Sequence, residues 1–253
     1  MRAALLRAAP FLFGALALLA WEGAVRAFHV PPYLFPGPVA IAGAFAADAA
    51  GLLGSLLSTL LVTFVALAAA ACLGLAMALA VALSPLARAV IQPWAVVLQV
   101  TPIVAIAPLI IVLVGEPFAA LVLCATIVAF FPLFANTASG LAAAPPELRD
   151  LFRLYGAGRW RTLRLLQAPA ALPYFLSGLR VSGGLALVGA VVAEFVAGSG
   201  GFASGLAYRI LESGYRLEIP RMFAALALLA LAGIAINVGL GGLERLATRD
   251  GGR

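Results

Sequence analysis

Side chains that could carry chemistry are sparse in this sequence of 253 residues. The one histidine, His29, precedes Pro31 and Pro32, and the two cysteines, Cys72 and Cys124, lie inside apolar runs. No C-x-x-C spacing or nearby histidine accompanies them, so we predict no catalytic centre, metal site, disulfide or cofactor. All sixteen basic residues are arginine, which excludes a phosphate-binding loop of the G-x-x-x-x-G-K-[ST] type. Any ATP-driven work would need another polypeptide to bind the nucleotide.

A few polar residues interrupt the apolar runs and could line a path through a membrane. Thr101 and Pro102 lie in one run, Asn136 late in the next and Glu194 late in a third. A proline frees backbone carbonyls, which lipid tolerates only against protein or water, so Thr101 and Pro102 indicate a path-lining helix or a packing kink. An ionisable residue in a span usually faces an interior or cavity, yet Glu194 also fits an interfacial carboxylate about one turn from the end of its run.

The composition decides where these residues must sit. The chain is 64% hydrophobic and 10% charged, whereas a soluble domain has roughly 25% charged residues. Such a sequence cannot cover a water-exposed surface, and lipid accepts an apolar exterior. The net charge of +6 is scattered between apolar stretches, so nucleic-acid binding is not predicted.

Six apolar segments are long enough to cross a bilayer of about 30 Å. We predict an all-α, polytopic membrane protein, a single domain over residues 1–253, with spans at Ala8 to Val25, Leu56 to Leu83, Ala89 to Val114, Phe118 to Ala138, Tyr174 to Ala197 and Met222 to Leu243. Arg2 and Arg7 precede the first segment as in a secretory signal, but no convincing cleavage site follows, so we expect it to be retained.

The arginines predict the orientation, because positively charged loops stay in the cytoplasm. With the N-terminus inside, the outer loops hold four arginines, Arg26, Arg209, Arg216 and Arg221, and Arg180 lies within the fifth span. The inner segments then hold the other eleven: Arg2, Arg7, Arg88, Arg149, Arg153, Arg159, Arg161, Arg164, Arg245, Arg249 and Arg253. We therefore predict a multi-pass protein of the bacterial inner membrane with both termini in the cytoplasm.

The inner loop at about 139–173 is too long for a simple turn. Leu148, Leu151, Phe152 and Tyr155 recur at helical spacing and predict one apolar helix face. Pro145 and Pro146 suit a helix start, and Gly156 and Gly158 suit a break, so we expect two short helices joined at a glycine corner. On periodicity alone, this loop could equally be a helix resting on lipid headgroups through its arginines.

This loop resembles the cytoplasmic loop of ABC importer permeases, which has the pattern E-A-A-x-x-x-G, nine residues, then I-x-L-P. Aligned on Gly156, Asp150 takes the glutamate position, Leu151 and Phe152 replace the two alanines, and Leu166 to Pro169 align with the final four residues. The spacing is intact, while aspartate, two bulky residues and Ala168 depart from the pattern.

The resemblance extends over nearly the whole chain and is closest to the nitrate, sulfonate, taurine and bicarbonate type of permease. It includes Trp21 with Glu22, L-F-P-G-P from Leu34, T-P-I-V-A-I-A-P-L from Thr101, F-F-P-L-F-A-N-T from Phe130, A-L-P-Y-F-L-S-G-L-R from Ala171 and V-V-A-E-F-V from Val191. It implies the ABC type I importer permease fold, without ATPase activity of its own. It also places Glu147, Asp150, Leu151, Phe152, Gly156, Leu166 and Pro169 in the loop that couples to the ATPase.

The resemblance further implies the partners: a cytoplasmic ABC ATPase, a solute-binding protein outside, surrounding lipid and a second permease chain, so that a homodimer is expected. The solute would be nitrate, a sulfonate, taurine or a related small organic molecule. An ion-coupled secondary transporter is the alternative, because six spans and Glu194 suit proton-linked transport, but it leaves the loop pattern unexplained. An intramembrane serine protease is disfavoured because the single histidine lies outside the spans.

Overall fold

The computed structural model describes residues 2–198 and 204–249, without the side chains of residues 2–8, 11, 248 and 249. Within those ranges the chain is helical and contains no strand. The helices are α1 (Arg2–Ala27), α2 (Pro38–Ala47), α3 (Ala49–Leu83), α4 (Pro85–Val100), α5 (Ile103–Val114), α6 (Pro117–Ala142), α7 (Pro146–Leu154), α8 (Arg159–Thr162), α9 (Ala168–Ala197), α10 (Leu206–Tyr215) and α11 (Ile219–Arg249). The all-α prediction is confirmed.

Four of the described helical segments are each long and apolar enough to cross a membrane, and a bent pair forms a fifth candidate. The four are Ala49–Leu83, Pro117–Ala142, Arg159–Ala197 and Ile219–Ala247. The predicted first span falls within α1, which is about 39 Å long at 1.5 Å per residue. Several of its side chains lie outside the described residues, as do those of Arg2, Arg7, Arg249 and Arg253.

The third predicted span is not one helix, which corrects the continuous segment from Ala89 to Val114. α4 and α5 meet at an angle of 103°. Pro102 has no backbone N–H and pushes the preceding residue out of the helical region, and both Thr101 (ψ 120°) and Pro102 (ψ 111°) are extended. Two extended residues in succession break the helix, so the kink is a sharp turn between two apolar arms.

The region between the first two predicted spans contains a short helix, and the second span begins earlier than predicted. The apolar residues after Pro38 form α2, and α3 then begins at Ala49, seven residues before the predicted start at Leu56. Asp48 separates the two helices, and its carboxylate pairs with Arg221 near the start of α11. This ion pair joins the α2–α3 corner to the last span.

The core is built around α6, which packs between α3 and α9. Small residues make the close approach possible: Ala125, Ala129 and Ala190 are fully buried. A Cβ atom added at Gly189 would lie 2.8 Å from the Cα of Ala125, so only glycine fits at this crossing. Sparse polar groups inside lipid-facing bundles must pair internally. Accordingly, Arg180 of α9 donates to the Oδ1 atom of Asn237 on α11 at 2.9 Å.

Candidate functional site

The α6–α9 loop, residues 143–167, has the two-helix shape that the sequence predicted. α7 begins at Pro146, with Glu147 in its first turn, and ends at Leu154. Gly156 follows with a φ of +68°, a left-handed conformation that side chains with a Cβ rarely adopt. The next helix, α8, begins at Arg159, so Gly156 lies at the corner between the two short helices.

A widened helical turn connects α8 to the fifth span. Residues Leu163–Gln167 form a π-helix that runs directly into α9. Pro169 is the second residue of α9, and in a regular helix its ring would clash with the carbonyl of Leu165. A π turn just before the proline relieves this clash. Leu166 lies within that turn and is half-buried.

The α6–α9 loop exposes several large apolar side chains. Leu154 and Tyr155 are 85% and 83% exposed, and Leu148, Leu151 and Trp160 are also exposed. Phe152, which the periodicity placed on the same face, is instead half-buried. We call Leu148, Leu151, Leu154, Tyr155 and Trp160 the apolar loop surface. A solvent-exposed apolar patch of this kind is typical of a surface that contacts another molecule.

Charged residues flank the apolar loop surface. The Asp150 carboxylate and the Arg153 guanidinium are 3.3 Å apart, and both side chains are mostly exposed. An exposed pair of this kind contributes little to stability. Glu147 is also exposed. The acids predicted for the loop are therefore accessible to a partner.

Three side chains of the α6–α9 loop are hydrogen-bonded to the ends of span helices. Arg149 donates from Nε to the carbonyl of Ala144 at 2.9 Å and also reaches the carbonyl of Ala142, the last residue of α6. Gln167 donates to the carbonyl of Leu141 at 3.1 Å, and Arg159 donates to the carbonyl of Leu83, the last residue of α3, at 3.3 Å. The last carbonyls of a helix lack partners within the helix. These bonds satisfy them and join the loop to α3 and α6.

The predicted path residues Thr101 and Pro102 lie at the bend between α4 and α5. A cavity of about 280 Å³ opens there, and Gln99, Thr101 and Phe131 are among its lining residues. The Thr101 hydroxyl donates to the carbonyl of Val97 at 2.7 Å. None of the described residues that line this cavity is charged.

Asn136 does not line that cavity. Its side-chain amide donates to the carbonyl of Pro132 at 2.8 Å, one turn earlier in α6. A Cβ atom at Gly178 would lie 2.9 Å from the Cβ of Asn136, which places Asn136 in the packed contact between α6 and α9.

Glu194 is buried, with 3% exposure, and joins three helices. Its carboxylate accepts hydrogen bonds from the Thr59 hydroxyl at 2.9 Å and from the backbone N–H of Ala207 at 3.1 Å. The Thr59 oxygen in turn accepts from the backbone N–H of Leu206 at 2.9 Å. These N–H groups belong to the first turn of α10, where a helix needs acceptors and favours negative charge. Thr59 and Glu194 thus anchor α10, and a side chain at Gly205 would collide with the carboxylate.

Thr59→Val is expected to lower the stability of the protein, because it leaves the Leu206 N–H without its acceptor and removes the Thr59 donor from the Glu194 carboxylate, which keeps only the Ala207 N–H. Loss of a buried partner costs about 1–3 kcal/mol. Thermal unfolding in detergent measures the effect. Thr63→Val is the matched control, since that buried hydroxyl bonds only the carbonyl of Thr59 in its own helix. Equal melting temperatures for the two variants would contradict the anchoring role.

Within the described residues, no group of three or more His, Cys, Asp and Glu side chains is placed to hold a metal ion. Cys72 is exposed and Cys124 is buried, and both are free thiols.

The described helices form a bundle with one bent span and a helical loop that is joined to the ends of the spans. This architecture is typical of a transport permease. Residues 70–249 match the family described as the binding-protein-dependent transport system inner membrane component. The chain belongs to this family of ABC transporter permeases, which confirms both the predicted family and its type I permease fold.

Individual relatives match over different shares of the chain. A riboflavin transport system permease protein, RibX, of Chloroflexus aurantiacus is 39% identical over 92% of this chain and 87% of its own length. A formylaminopyrimidine transport permease protein, ThiX, of Halalkalibacterium halodurans is 28% identical over 89% of this chain and 88% of its own. A putative aliphatic sulfonates transport permease protein, SsuC, of Bacillus subtilis is 30% identical over 56% of this chain and 50% of its own.

Proposed function

We propose that this chain forms the path for a small solute through the inner membrane, in an ABC importer whose separate ATPase drives the transport. The observation that carries this proposal is the α6–α9 loop, which presents an exposed apolar surface and is hydrogen-bonded to the ends of α3 and α6. Because of these hydrogen bonds, a movement of the ATPase bound to the loop surface would be transmitted to α3 and α6. Membership of an ABC permease family disfavours the ion-coupled secondary transporter.

The apolar loop surface is the proposed contact with the ATPase. A short helix with an apolar ridge and flanking charges suits a groove in another protein, because the ridge supplies burial and the charges supply orientation. Asp150 and Glu147 are exposed beside the ridge and would face cations of the partner. Gly156, Leu166 and Pro169 shape the loop rather than form the contact surface.

The cavity at the α4–α5 bend is the proposed solute path. Irregular backbone within a membrane requires protein or a water-filled cavity beside it, and Thr101 and Pro102 are irregular. Much of α4 and α5 is not covered by the rest of the chain: Trp94, Val100 and Val112 are exposed. A second copy of the permease against these arms would enclose the path between two chains. Glu194 and Asn136 contribute to this path only through the packing of the helices that surround it.

We propose an uncharged planar heterocycle, such as a flavin or a pyrimidine, as the transported solute, rather than the nitrate, sulfonate or taurine expected from the sequence. The similarity to the riboflavin and formylaminopyrimidine permeases covers about nine-tenths of the chain, whereas that to the sulfonate permease covers about half. The cavity lining agrees with this choice. Gln99 and Thr101 supply amide and hydroxyl groups and Phe131 an aromatic face, and a fixed cation for an oxyanion is absent from the described lining.

The proposed orientation places both termini and the α6–α9 loop in the cytoplasm. The arginine distribution supports it, because eleven of the sixteen arginines then fall in inner segments. α10, anchored by Thr59 and Glu194, lies on the opposite side and faces the solute-binding protein.

Replacement of Gln99 by methionine tests the proposed path. The substitution keeps the length of the side chain and removes its amide, so uptake of labelled riboflavin by cells that carry the whole importer should fall roughly tenfold. Leu98→Met is the matched control, since Leu98 lines the same cavity without a polar group. Equal uptake by both variants would remove Gln99 from the path.

A further inference from the structure

A second cavity lies where the α6–α9 loop meets the end of α3 and the start of α4. This groove has a volume of about 570 Å³, and polar lining residues include Gln92, Thr162 and Gln167. Its charged lining consists of four arginines, Arg88, Arg149, Arg153 and Arg159, and no carboxylate lines it in the part of the chain that the structure describes. Four cations around one groove repel one another unless an anion lies between them.

Only part of this positive charge is compensated within the chain. Arg149 and Arg159 donate to backbone carbonyls, which carry no net charge, and Arg153 is 3.3 Å from the Asp150 carboxylate. The Arg88 guanidinium makes no hydrogen bond or ion pair with any described residue, whereas its backbone N–H donates to the carbonyl of Ser84. The groove therefore retains an excess of positive charge and a guanidinium available to bind an oxyanion in bidentate geometry.

An apolar cleft of about 410 Å³ adjoins the arginine groove. The two cavities share Val81, Arg88 and Gln92, and the remaining lining of the cleft is almost entirely apolar: Val96, Phe131, Phe134, Ala135, Ala138, Ser139 and Ala142. One continuous depression thus has a cationic end and an apolar end. This combination suits an amphiphile with an anionic head and a hydrocarbon tail.

We propose that this depression binds an anionic phospholipid, with its phosphate among the arginines and one acyl chain in the apolar cleft. The position agrees, because Arg88 lies in the first turn of α4 and the rest of that helix is predominantly apolar, as expected at the boundary between headgroups and hydrocarbon. With the orientation proposed above, the lipid belongs to the cytoplasmic leaflet. Basic pockets between spans on that side are suited to anionic headgroups. If acidic residues of the ATPase bound here instead of a lipid, they would occupy only the cationic end, and the apolar cleft would have no occupant.

Titration of phosphatidylglycerol into the full-length permease in detergent tests the proposal, with the rise in melting temperature as the readout. We expect a saturable rise with phosphatidylglycerol and little with phosphatidylcholine. Arg88→Gln should weaken apparent binding about fivefold at low salt, and Arg88→Gln with Arg159→Gln about thirtyfold. Arg88→Lys keeps the charge and should retain much of the effect. Arg164→Gln is the matched control, because Arg164 is exposed on the same loop but lies outside the groove.

Three results would overturn the proposal. An equal rise with phosphatidylcholine would indicate general lipid solvation, and a full rise with glycerol phosphate alone would indicate an ion site without a place for the acyl chain. Loss of ATPase co-purification in the Arg88 variants, with an unchanged lipid effect, would make the groove a contact for the ATPase. The lipid titration uses the permease alone, so its failure leaves the proposed transport function untouched.

Discussion

Replacing Leu151 and Leu154 together with aspartate is expected to abolish ATP-driven uptake while leaving the permease in the membrane. Both leucines are exposed on the apolar loop surface, Leu151 to 44% and Leu154 to 85%, so the change removes little packing within the chain. In the complex it would bury two carboxylates against an apolar groove. Loss of a hot-spot residue at the centre of an interface costs about 2 kcal/mol or more, which corresponds to a loss of affinity of at least about thirtyfold.

Co-purification of the ATPase with the tagged permease measures the effect directly. Leu246→Asp is the matched control, because Leu246 is also an exposed leucine, near the end of α11 and away from the loop. We expect the control to retain the ATPase and the double variant to lose it. If both retain the ATPase and transport equally, the α6–α9 loop is a helix lying on lipid headgroups.

Arg149→Ala is expected to separate ATP hydrolysis from transport. Arg149 is the residue of α7 that binds the carbonyls of Ala142, the last residue of α6, and of Ala144 just after it, and hydrogen bonds to a charged donor contribute about 1.5–3 kcal/mol. Its removal leaves the apolar loop surface intact but releases α7 from the span. The assembled importer should therefore bind the ATPase and hydrolyse ATP, while uptake per ATP hydrolysed falls at least about tenfold.

The ratio of uptake to hydrolysis in proteoliposomes is the measurement for this variant. Arg164→Gln again serves as the control, since it removes an exposed arginine that is not hydrogen-bonded to a span. An unchanged ratio in Arg149→Ala would show that the loop transmits motion without this connection.

The spans and the corner of the loop could be predicted from the sequence because they depend on local chemistry. Long apolar runs mark helices that cross a membrane, and Gly156 follows a short amphipathic stretch where a left-handed residue is needed. The break at Pro102 does not follow from the sequence alone, because proline is tolerated within spans and indicates either a mild kink or a sharp turn. The neighbouring backbone decides between them: Thr101 is also extended, and the two arms diverge by 103°.

The hydrogen bonds that join separate parts of the chain could not be predicted in the same way. From the sequence, Arg149 and Arg159 are recognised only as positive charges that determine the membrane topology. Their hydrogen bonds at the ends of α6 and α3 depend on tertiary contacts. Thr59 is unremarkable within a long apolar helix, although it meets Glu194 from a position 135 residues away. Phe152 matches the apolar period of α7 but is half-buried, which the period alone does not reveal.

ATP hydrolysis and solute uptake by the purified complex in proteoliposomes test the central claim most directly. The permease is combined with its cognate ATPase and binding protein, and labelled riboflavin and taurine are supplied separately. We predict that the permease alone hydrolyses no ATP, that the full assembly does, and that ATP drives accumulation of riboflavin in preference to taurine. ATP hydrolysis that tracks the pure permease, or accumulation driven by an ion gradient without the ATPase, would contradict the account.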